Sequence, residues 1–95
     1  MTQEQAKKWD LIDKFNYEAI TAYMNAVGWQ YRGKDVDEYD VRETALYTLD
    51  RAIESARANP NEEQSVAWGG FHAQVEFDGV NYWSMSLTFR HKHFA

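Results

Sequence analysis

The sequence contains no cysteine and a single proline among its 95 residues. The lack of cysteine excludes disulfides, thiolate nucleophiles, cysteine-ligated zinc and iron–sulfur centres, and it fits a reducing compartment. Long hydrophobic runs are also lacking, since none approaches the roughly 20 residues that a membrane-spanning helix needs. The polar start, Met1 to Gln5, does not have the pattern of a signal peptide. We therefore expect a cytoplasmic protein that does not enter a membrane.

Positive charge is scarce as well. Ten Lys and Arg residues stand against fifteen Asp and Glu residues, which gives a formal net charge of −5. This balance argues against direct nucleic-acid binding and against docking on anionic membranes. The length fits one domain over residues 1–95, and 44% of the residues are hydrophobic, so a core can form without disulfides.

The first segment has the pattern of one long amphipathic helix. Thr2 and Gln5 have the spacing of a capping box, in which side chains and backbone N–H groups cap each other. Apolar residues then recur at three- and four-residue steps as far as Val27, and Gly28 supplies a left-handed C-cap. These signals predict a first helix over about residues 3–26.

A second helix is predicted to follow Asp37, a suitable N-cap with Asp40 three residues further on. Pro60 ends it, because proline cannot continue a helix and disfavours helical geometry in the residue before it. The helix should bury one regular seam, which consists of Val41, Ala45, Leu49, Ala52, Ile53 and Ala56.

Strand patterns occupy the remaining segments. Residues 29–32 lie between glycines and alternate in character, which predicts a short edge strand. Residues 61–64 have the composition of a solvated connector. Residues 71–77 and 83–89 alternate apolar and polar side chains, so they predict two strands of a hairpin. The expected class is α+β, with two helices packed on one face of a small antiparallel sheet in the order α-β-α-β-β.

The hairpin register can also be predicted. A two-residue turn of Asp78 and Gly79 would place the apolar row of one strand beside the polar row of the other, and neither face would be dry. A connection with an odd number of residues places the apolar rows of both strands on the same face of the sheet. We therefore expect a three-residue turn of Phe77, Asp78 and Gly79, or a compensating bulge near Gly69 and Gly70.

Residues with catalytic or metal-binding chemistry form no known motif. The serines lie in no nucleophile elbow, and neither a phosphate-binding loop nor a zinc-helix pattern occurs. The side chains of His91 and His93 would point to the same face of an extended strand, but His72 has the opposite parity in its own strand. No carboxylate lies at a spacing typical of metal ligands. We expect a protein that is not an enzyme and that holds neither a metal nor another cofactor.

Aromatic residues are abundant, with four Trp, six Tyr and five Phe. They cannot all be buried in a globule of radius about 13 Å, so some should be exposed or shared with a second copy in a homo-oligomer. Paired glycines allow another group to approach the backbone closely, and arginines near exposed rings could bind a phosphate. The candidate ligand-binding residues are Trp29, Tyr31, Arg32, Trp68, Gly69, Gly70, His72 and Arg90.

Three short motifs occur in a fixed order. They are Gly28-Trp29-Gln30-Tyr31 closing at Gly33, then Glu43-Thr44-Ala45, then Gly69-Gly70-Phe71. This layout resembles a loose group of small phage-encoded proteins, which have a small hydroxyl residue where this chain has Trp68. The resemblance implies a viral protein in the host cytoplasm, and the best-understood small phage proteins of similar size neutralise host defences.

Two functions follow as hypotheses. The first is a counter-defence factor that sequesters a nucleotide-type immune signal in an aromatic, arginine-lined pocket between subunits. The alternative is an acidic protein–protein inhibitor of a host defence nuclease or nucleic-acid-binding effector, similar in action to anti-CRISPR proteins. Its basis is the net charge together with the acidic residues of segment 35–40.

Overall fold

A computed structural model describes residues 2–31 and 33–90, with the backbone alone of Tyr31. It shows an α+β fold in which helices pack against an antiparallel sheet, and this confirms the expected class. The elements are α1 (Gln3–Asp13), α2 (Tyr17–Ala26), β1 (Gln30–Tyr31), β2 (Lys34–Asp35), α3 (Glu38–Ala58), β3 (Gln64–Trp68), β4 (Phe71–Phe77) and β5 (Trp83–Phe89).

The first predicted helix is two helices. The capping box at Thr2 is present, but α1 ends at Asp13 and Asn16 begins α2 by accepting a hydrogen bond from the Ala19 N–H at 3.1 Å. The prediction of one helix over residues 3–26 is therefore wrong. An apolar stripe at helical spacing continues through the break, so periodicity alone did not reveal it. The N-cap residue Asn16 was a signal of the second helix that the prediction did not use. The break allows Ile12 of α1 and Met24 of α2 both to be fully buried.

The second predicted helix, α3, agrees with its sequence signals. Asp37 is the N-cap and accepts a hydrogen bond from the Asp40 N–H at 2.8 Å, and the helix ends before Pro60. All six residues of the predicted seam are buried. Thr48 is buried in the same seam because its hydroxyl donates to the Thr44 carbonyl at 2.8 Å, which satisfies the polar group inside the helix.

The main sheet has the strand order β3-β4-β5, and all its pairs are antiparallel. Segment 29–32 does not join it, because Gln30 and Tyr31 pair with Asp35 and Lys34 in a separate two-stranded ladder. The third strand of the sheet is β3, which begins at Gln64 at the end of the predicted connector. The sequence pattern gave no signal for it, because β3 has no strict alternation of apolar and polar residues.

The paired glycines form a turn. Gly69 and Gly70 have φ angles of 56° and 87°, and they connect the opposed residues Trp68 and Phe71. Positive φ at both central positions is the requirement of the two-residue hairpin turn that matches strand twist. The expectation of a bulge near these residues is thus wrong, and their conformation explains why both positions are glycine.

The β4–β5 hairpin has the predicted parity but a longer loop. Phe77 is opposite Trp83 and Val75 is opposite Met85, so odd positions face odd positions. The connection consists of the five residues 78–82 in place of the expected three. Asp78 holds this loop through hydrogen bonds from the backbone N–H groups of Val80, Asn81 and Tyr82, and these bonds lower the pKa of its carboxyl.

The two faces of the sheet differ in chemistry. Phe71, Ala73, Val75 and Leu87 are fully buried on the face toward the helices. The alternate residues, which include His72, form a polar outer face. No helix in the described ranges is long and apolar enough to span a membrane.

Candidate functional site

The sequence-predicted site residues occupy several different places. Trp68 ends β3 and is 60% exposed, whereas His72 is opposite Ala67 and therefore belongs to the other face of the sheet. Trp29 packs against the core, and its backbone N–H donates to the Met24 carbonyl at 2.9 Å. The Arg90 N–H donates to the Gly70 carbonyl at 2.9 Å, which places Arg90 beside the glycine turn.

The structure brings together only part of that set. The side chain of Tyr31 and all of Arg32 lie outside the described residues, as do His91 and His93. Trp68 and the Gly69–Gly70 turn are adjacent, but Trp68 and His72 lie on opposite faces. The predicted constellation is therefore not one pocket in the described residues. The neighbours of Trp68 come from elements that the prediction did not include.

Trp68 forms one wall of an open groove of about 920 Å³. The N-terminal half of α3 forms the floor, and the β1–β2 hairpin supplies the opposite wall through Gln30, Lys34 and Asp35. Because β1 and β2 form their own ladder away from the main sheet, they leave this space open at one end of the molecule. We call it the α3 groove.

Exposed aromatic side chains follow the α3 groove. Tyr39, Tyr47 and Trp68 are 70%, 48% and 60% exposed, which is high for large rings that line a concave surface. The rings of Tyr47 and Trp68 meet edge to face, with their centroids 6.2 Å apart and their planes at 62°. Together they form a corner with apolar sides that is open to solvent.

Carboxylates lie between and beside these rings. Asp35, Asp37, Asp40 and Glu43 line the groove, and Lys34 is the one cationic side chain among its described lining residues. None of the four carboxylates forms an ion pair with another described residue. The groove therefore carries a net negative charge that the described part of the molecule does not neutralise.

Helix geometry explains this arrangement. Tyr39, Glu43 and Tyr47 are four residues apart, so they lie along one side of α3. The buried seam that begins at Val41 fixes the opposite side of the helix against the sheet. The two tyrosines are separated by about 12 Å along the axis, and the carboxylate of Glu43 lies between them.

The ring of Tyr47 already contacts a cation within the molecule. The guanidinium carbon of Arg51 lies 5.9 Å from the centre of the Tyr47 ring. This distance is within the range of cation–π attraction, which is electrostatic in origin. One aromatic ring of the α3 groove, that of Tyr47, thus packs against a guanidinium group of the same protein.

Sequence reasoning missed the tyrosines as site residues, although it counted both among the aromatics that could not all be buried. The available signal was their spacing with Glu43, four residues apart and off the apolar seam of the same helix. Alternating aromatic and acidic residues on an exposed helix side favour a binding surface. The acidic residues alone did not favour a binding surface, because helix capping explains the presence of Asp37.

A second polar pair lies outside the groove. The Ser65 hydroxyl oxygen is 2.6 Å from His72 Nε2 on the outer face of the sheet. In the described residues, no group of three His, Cys, Asp or Glu side chains has a geometry that could hold a metal ion. Among the described residues, the α3 groove is the concave surface that combines exposed rings with carboxylates.

Burial affects one titratable group near α1. The hydroxyl of Tyr17 donates to the Ile12 carbonyl, and burial raises the pKa of this phenol to about 12 although Arg42 nearby acts in the opposite direction. This group stabilises the contact between α1 and α2. It does not line the α3 groove.

Comparison with known proteins adds no family to this description. No family model matches the sequence, and neither a curated protein nor a solved structure matches it significantly.

Proposed function

We propose that this chain is a non-enzymatic binding protein that holds a positively charged segment of a protein partner in the α3 groove. The observation that carries the proposal is the combination of exposed rings and unneutralised carboxylates in one concave surface. Exposed Tyr and Trp side chains are the residues most often found at the centre of protein interfaces.

The chemistry of the groove is complementary to arginine and lysine side chains. The ring faces of Tyr47 and Trp68 attract a cation, and the carboxylate of Glu43 provides the opposite charge. The alkyl part of an arginine or lysine side chain would cover the apolar corner between the two rings. Each part of such a side chain thus has a matching surface.

A biological role that fits this chemistry is inhibition of a nucleic-acid-binding effector, which is the alternative that the sequence suggested. Proteins that bind nucleic acids display Lys and Arg on the binding surface. The carboxylates of the α3 groove would occupy the positions that phosphates normally take. Counter-defence and viral origin are part of this proposal and rest on the sequence resemblance.

The nucleotide pocket receives less support from the groove. The described lining residues carry four carboxylates and one lysine, and this balance repels a phosphate. Homo-oligomerisation remains a prediction from the number of aromatic residues.

The test uses a synthetic peptide of alternating Arg and Thr, labelled with a fluorophore, and fluorescence anisotropy. We expect binding that weakens as salt concentration rises. Asp35→Lys combined with Glu43→Lys should lower the affinity at least about tenfold, because attraction becomes repulsion.

The matched control is Asp10→Lys combined with Glu76→Lys, which makes the same change in net charge at two exposed carboxylates outside the groove. It should leave the affinity nearly unchanged. Equal losses in the groove variant and in this control would mean that net charge alone attracts the peptide. Binding of a cyclic dinucleotide at the groove, with no binding of the peptide, would favour the nucleotide hypothesis instead.

A further inference from the structure

Strand β3 is an edge of the main sheet, and its backbone can accept another strand. The two-residue turn at Gly69 and Gly70 closes on a hydrogen-bonded pair, Trp68 with Phe71. Hydrogen-bonded and non-hydrogen-bonded pairs alternate along an antiparallel ladder. Ser65 and Ala67 are therefore in non-hydrogen-bonded pairs, and their N–H and C=O groups point away from β4.

The other side of β4 supports this assignment. The Arg90 N–H donates to the Gly70 carbonyl at 2.9 Å, so the bonds from β4 to β5 use its even-numbered residues. The bonds from β4 to β3 then use its odd-numbered residues, as the turn requires. In the described part of the chain, the outward groups of Ser65 and Ala67 form no backbone hydrogen bond.

The opposite edge of the sheet is covered. Helix α1 packs against β5, and the ammonium group of Lys7 donates to the outward carbonyl of Trp83. Strand β3 has none of the features that usually protect an edge, since its five residues include no lysine, proline or bulge. One edge is thus covered by α1, and the backbone of the other edge has no strand paired with it in the described part of the chain.

The open edge leads directly into the α3 groove. Ser55 contacts the side chain of Gln64 and Thr48 lies near the Trp68 carbonyl, so α3 runs antiparallel to β3. The part of α3 that precedes Thr48 therefore extends past the end of β3. A chain paired along β3 would pass Trp68 and continue beside Tyr47, where the carboxylates begin.

We propose that the basic partner segment binds in extended conformation and adds a fourth strand to the sheet at β3. This inference rests on the proposed function and specifies how the partner binds. Main-chain hydrogen bonds to Ser65 and Ala67 supply affinity, and alternate side chains reach the α3 groove and supply specificity. The carboxylates of the groove select cationic residues at those positions.

A second copy of this chain is a poorer occupant of the edge. Antiparallel pairing of β3 with its own copy would bring Glu62 and Glu63, which precede the strand, beside Trp68 of the other copy. Both regions are acidic, so the contact would be repulsive. Charge complementarity therefore favours a basic segment from another protein.

The decisive experiment modifies the peptide and leaves the protein unchanged. Two further forms of the Arg-Thr peptide are N-methylated, one at the Arg amides and the other at the Thr amides. In the antiparallel pairing that the rest of this sheet uses, residues opposite each other share a face, so a peptide with its Arg side chains toward the groove donates to Ser65 and Ala67 from its Thr amides. Parallel pairing would use the Arg amides instead. We expect one form to bind at least about tenfold more weakly, because two hydrogen bonds are lost, and the other to bind like the unmodified peptide.

The outcomes separate the two proposals. If all three peptides bind equally and the groove variant still weakens them, strand addition is wrong and the proposed function stands. If the unmodified peptide does not bind the wild-type protein, both proposals are wrong.

Amide hydrogen exchange provides a second measurement on the wild-type protein. The N–H groups of Ser65 and Ala67 should exchange more slowly when the unmodified peptide is bound, while that of Met85 at the opposite edge should not change. Protection at Met85 without protection at Ala67 would overturn the proposal. Ala67→Pro removes one outward donor and no bond to β4, so it should weaken binding with little change in melting temperature.

Discussion

Arg42 and Glu43 are neighbours in α3, but their surroundings differ in a way that separates two regions of the molecule. The guanidinium carbon of Arg42 lies 5.9 Å from the ring centres of both Trp9 and Tyr17, and its Nη1 lies 2.9 Å from the Asp13 carboxylate. Glu43 lines the α3 groove and has no ion-pair partner among the described residues. We call the side of the molecule around Arg42, where charges and rings contact each other within the fold, the closed side. The side that contains the α3 groove is the open side.

The closed side contains further pairs of the same kind. Lys8 pairs with Asp50 at 2.7 Å, and Arg57 contacts both Glu4 and the ring of Trp83. Aromatic rings and charges there are used to hold α1 against the rest of the fold. In the groove the four carboxylates have no ion-pair partner among the described residues, and of the described groove rings Tyr47 alone packs against a cation, that of Arg51. This contrast supports the proposal that a partner binds at the groove.

The largest expected effect on the closed side comes from Ile12→Ala. Ile12 is fully buried, so the substitution leaves a cavity and should lower the free energy of unfolding by about 2–5 kcal/mol. Urea denaturation measures the change. Ile12→Val should cost only about 0.5–1.5 kcal/mol. Equal effects of the two substitutions would mean that α1 packs more loosely than the structure indicates.

Arg42→Ala should have a smaller effect on the same side. It removes one exposed ion pair and two ring contacts, each worth up to about 1 kcal/mol, so we expect a loss of about 1–2 kcal/mol. Asp13→Ala is the matched variant, and the double variant isolates the energy of the pair. A loss no larger for Arg42→Ala than for Asp13→Ala would show that the ring contacts add nothing.

The closed side should also show a dependence on alkaline pH. In the unfolded chain a tyrosine ionises near pH 10, but Tyr17 in the folded protein stays neutral until its pKa of about 12. Its contribution to stability is therefore complete below pH 10 and is lost as pH rises from about 10 to 12. Denaturation at several pH values measures this. Tyr17→Phe should flatten the decline, and an unchanged decline in that variant would assign it to other groups.

The smallest effect on stability is expected on the open side. Trp68 is 60% exposed, so Trp68→Ala should change the free energy of unfolding by no more than about 0.5 kcal/mol. The same variant should lose affinity for the Arg-Thr peptide, because one side of the aromatic corner is removed. A large loss of stability would mean that Trp68 belongs to the core, and the contrast between the two sides would then be wrong.

Much of the architecture could be predicted from local patterns. The N-cap at Asp37, the seam from Val41 to Ala56 and the stop before Pro60 together defined α3. The alternation in β4 and β5 determined that odd residues pair with odd residues. These features depend on side-chain periodicity and on backbone chemistry within a few residues, which the sequence displays directly.

Other features could not be predicted in the same way. The stripe of apolar residues continues through Asn16, so one helix and two helices have nearly the same periodicity. Strand β3 has no strict alternation, and its assignment depends on pairing with β4. The α3 groove joins residues from four separate elements, and no local pattern relates Asp35 or Tyr47 to Trp68.

The sequence by itself determined the α+β class, the location of α3 and the parity of the hairpin, because each follows from the period of buried residues along one segment. Only the tertiary structure decided that Tyr39, Tyr47 and Trp68 surround a set of carboxylates, and that β3 is an open edge while β5 is covered. The physical reason is that burial depends on which surfaces meet. Within the described ranges, α1 packs against β5 and α3 packs across the sheet, and no described strand pairs with the outer edge of β3.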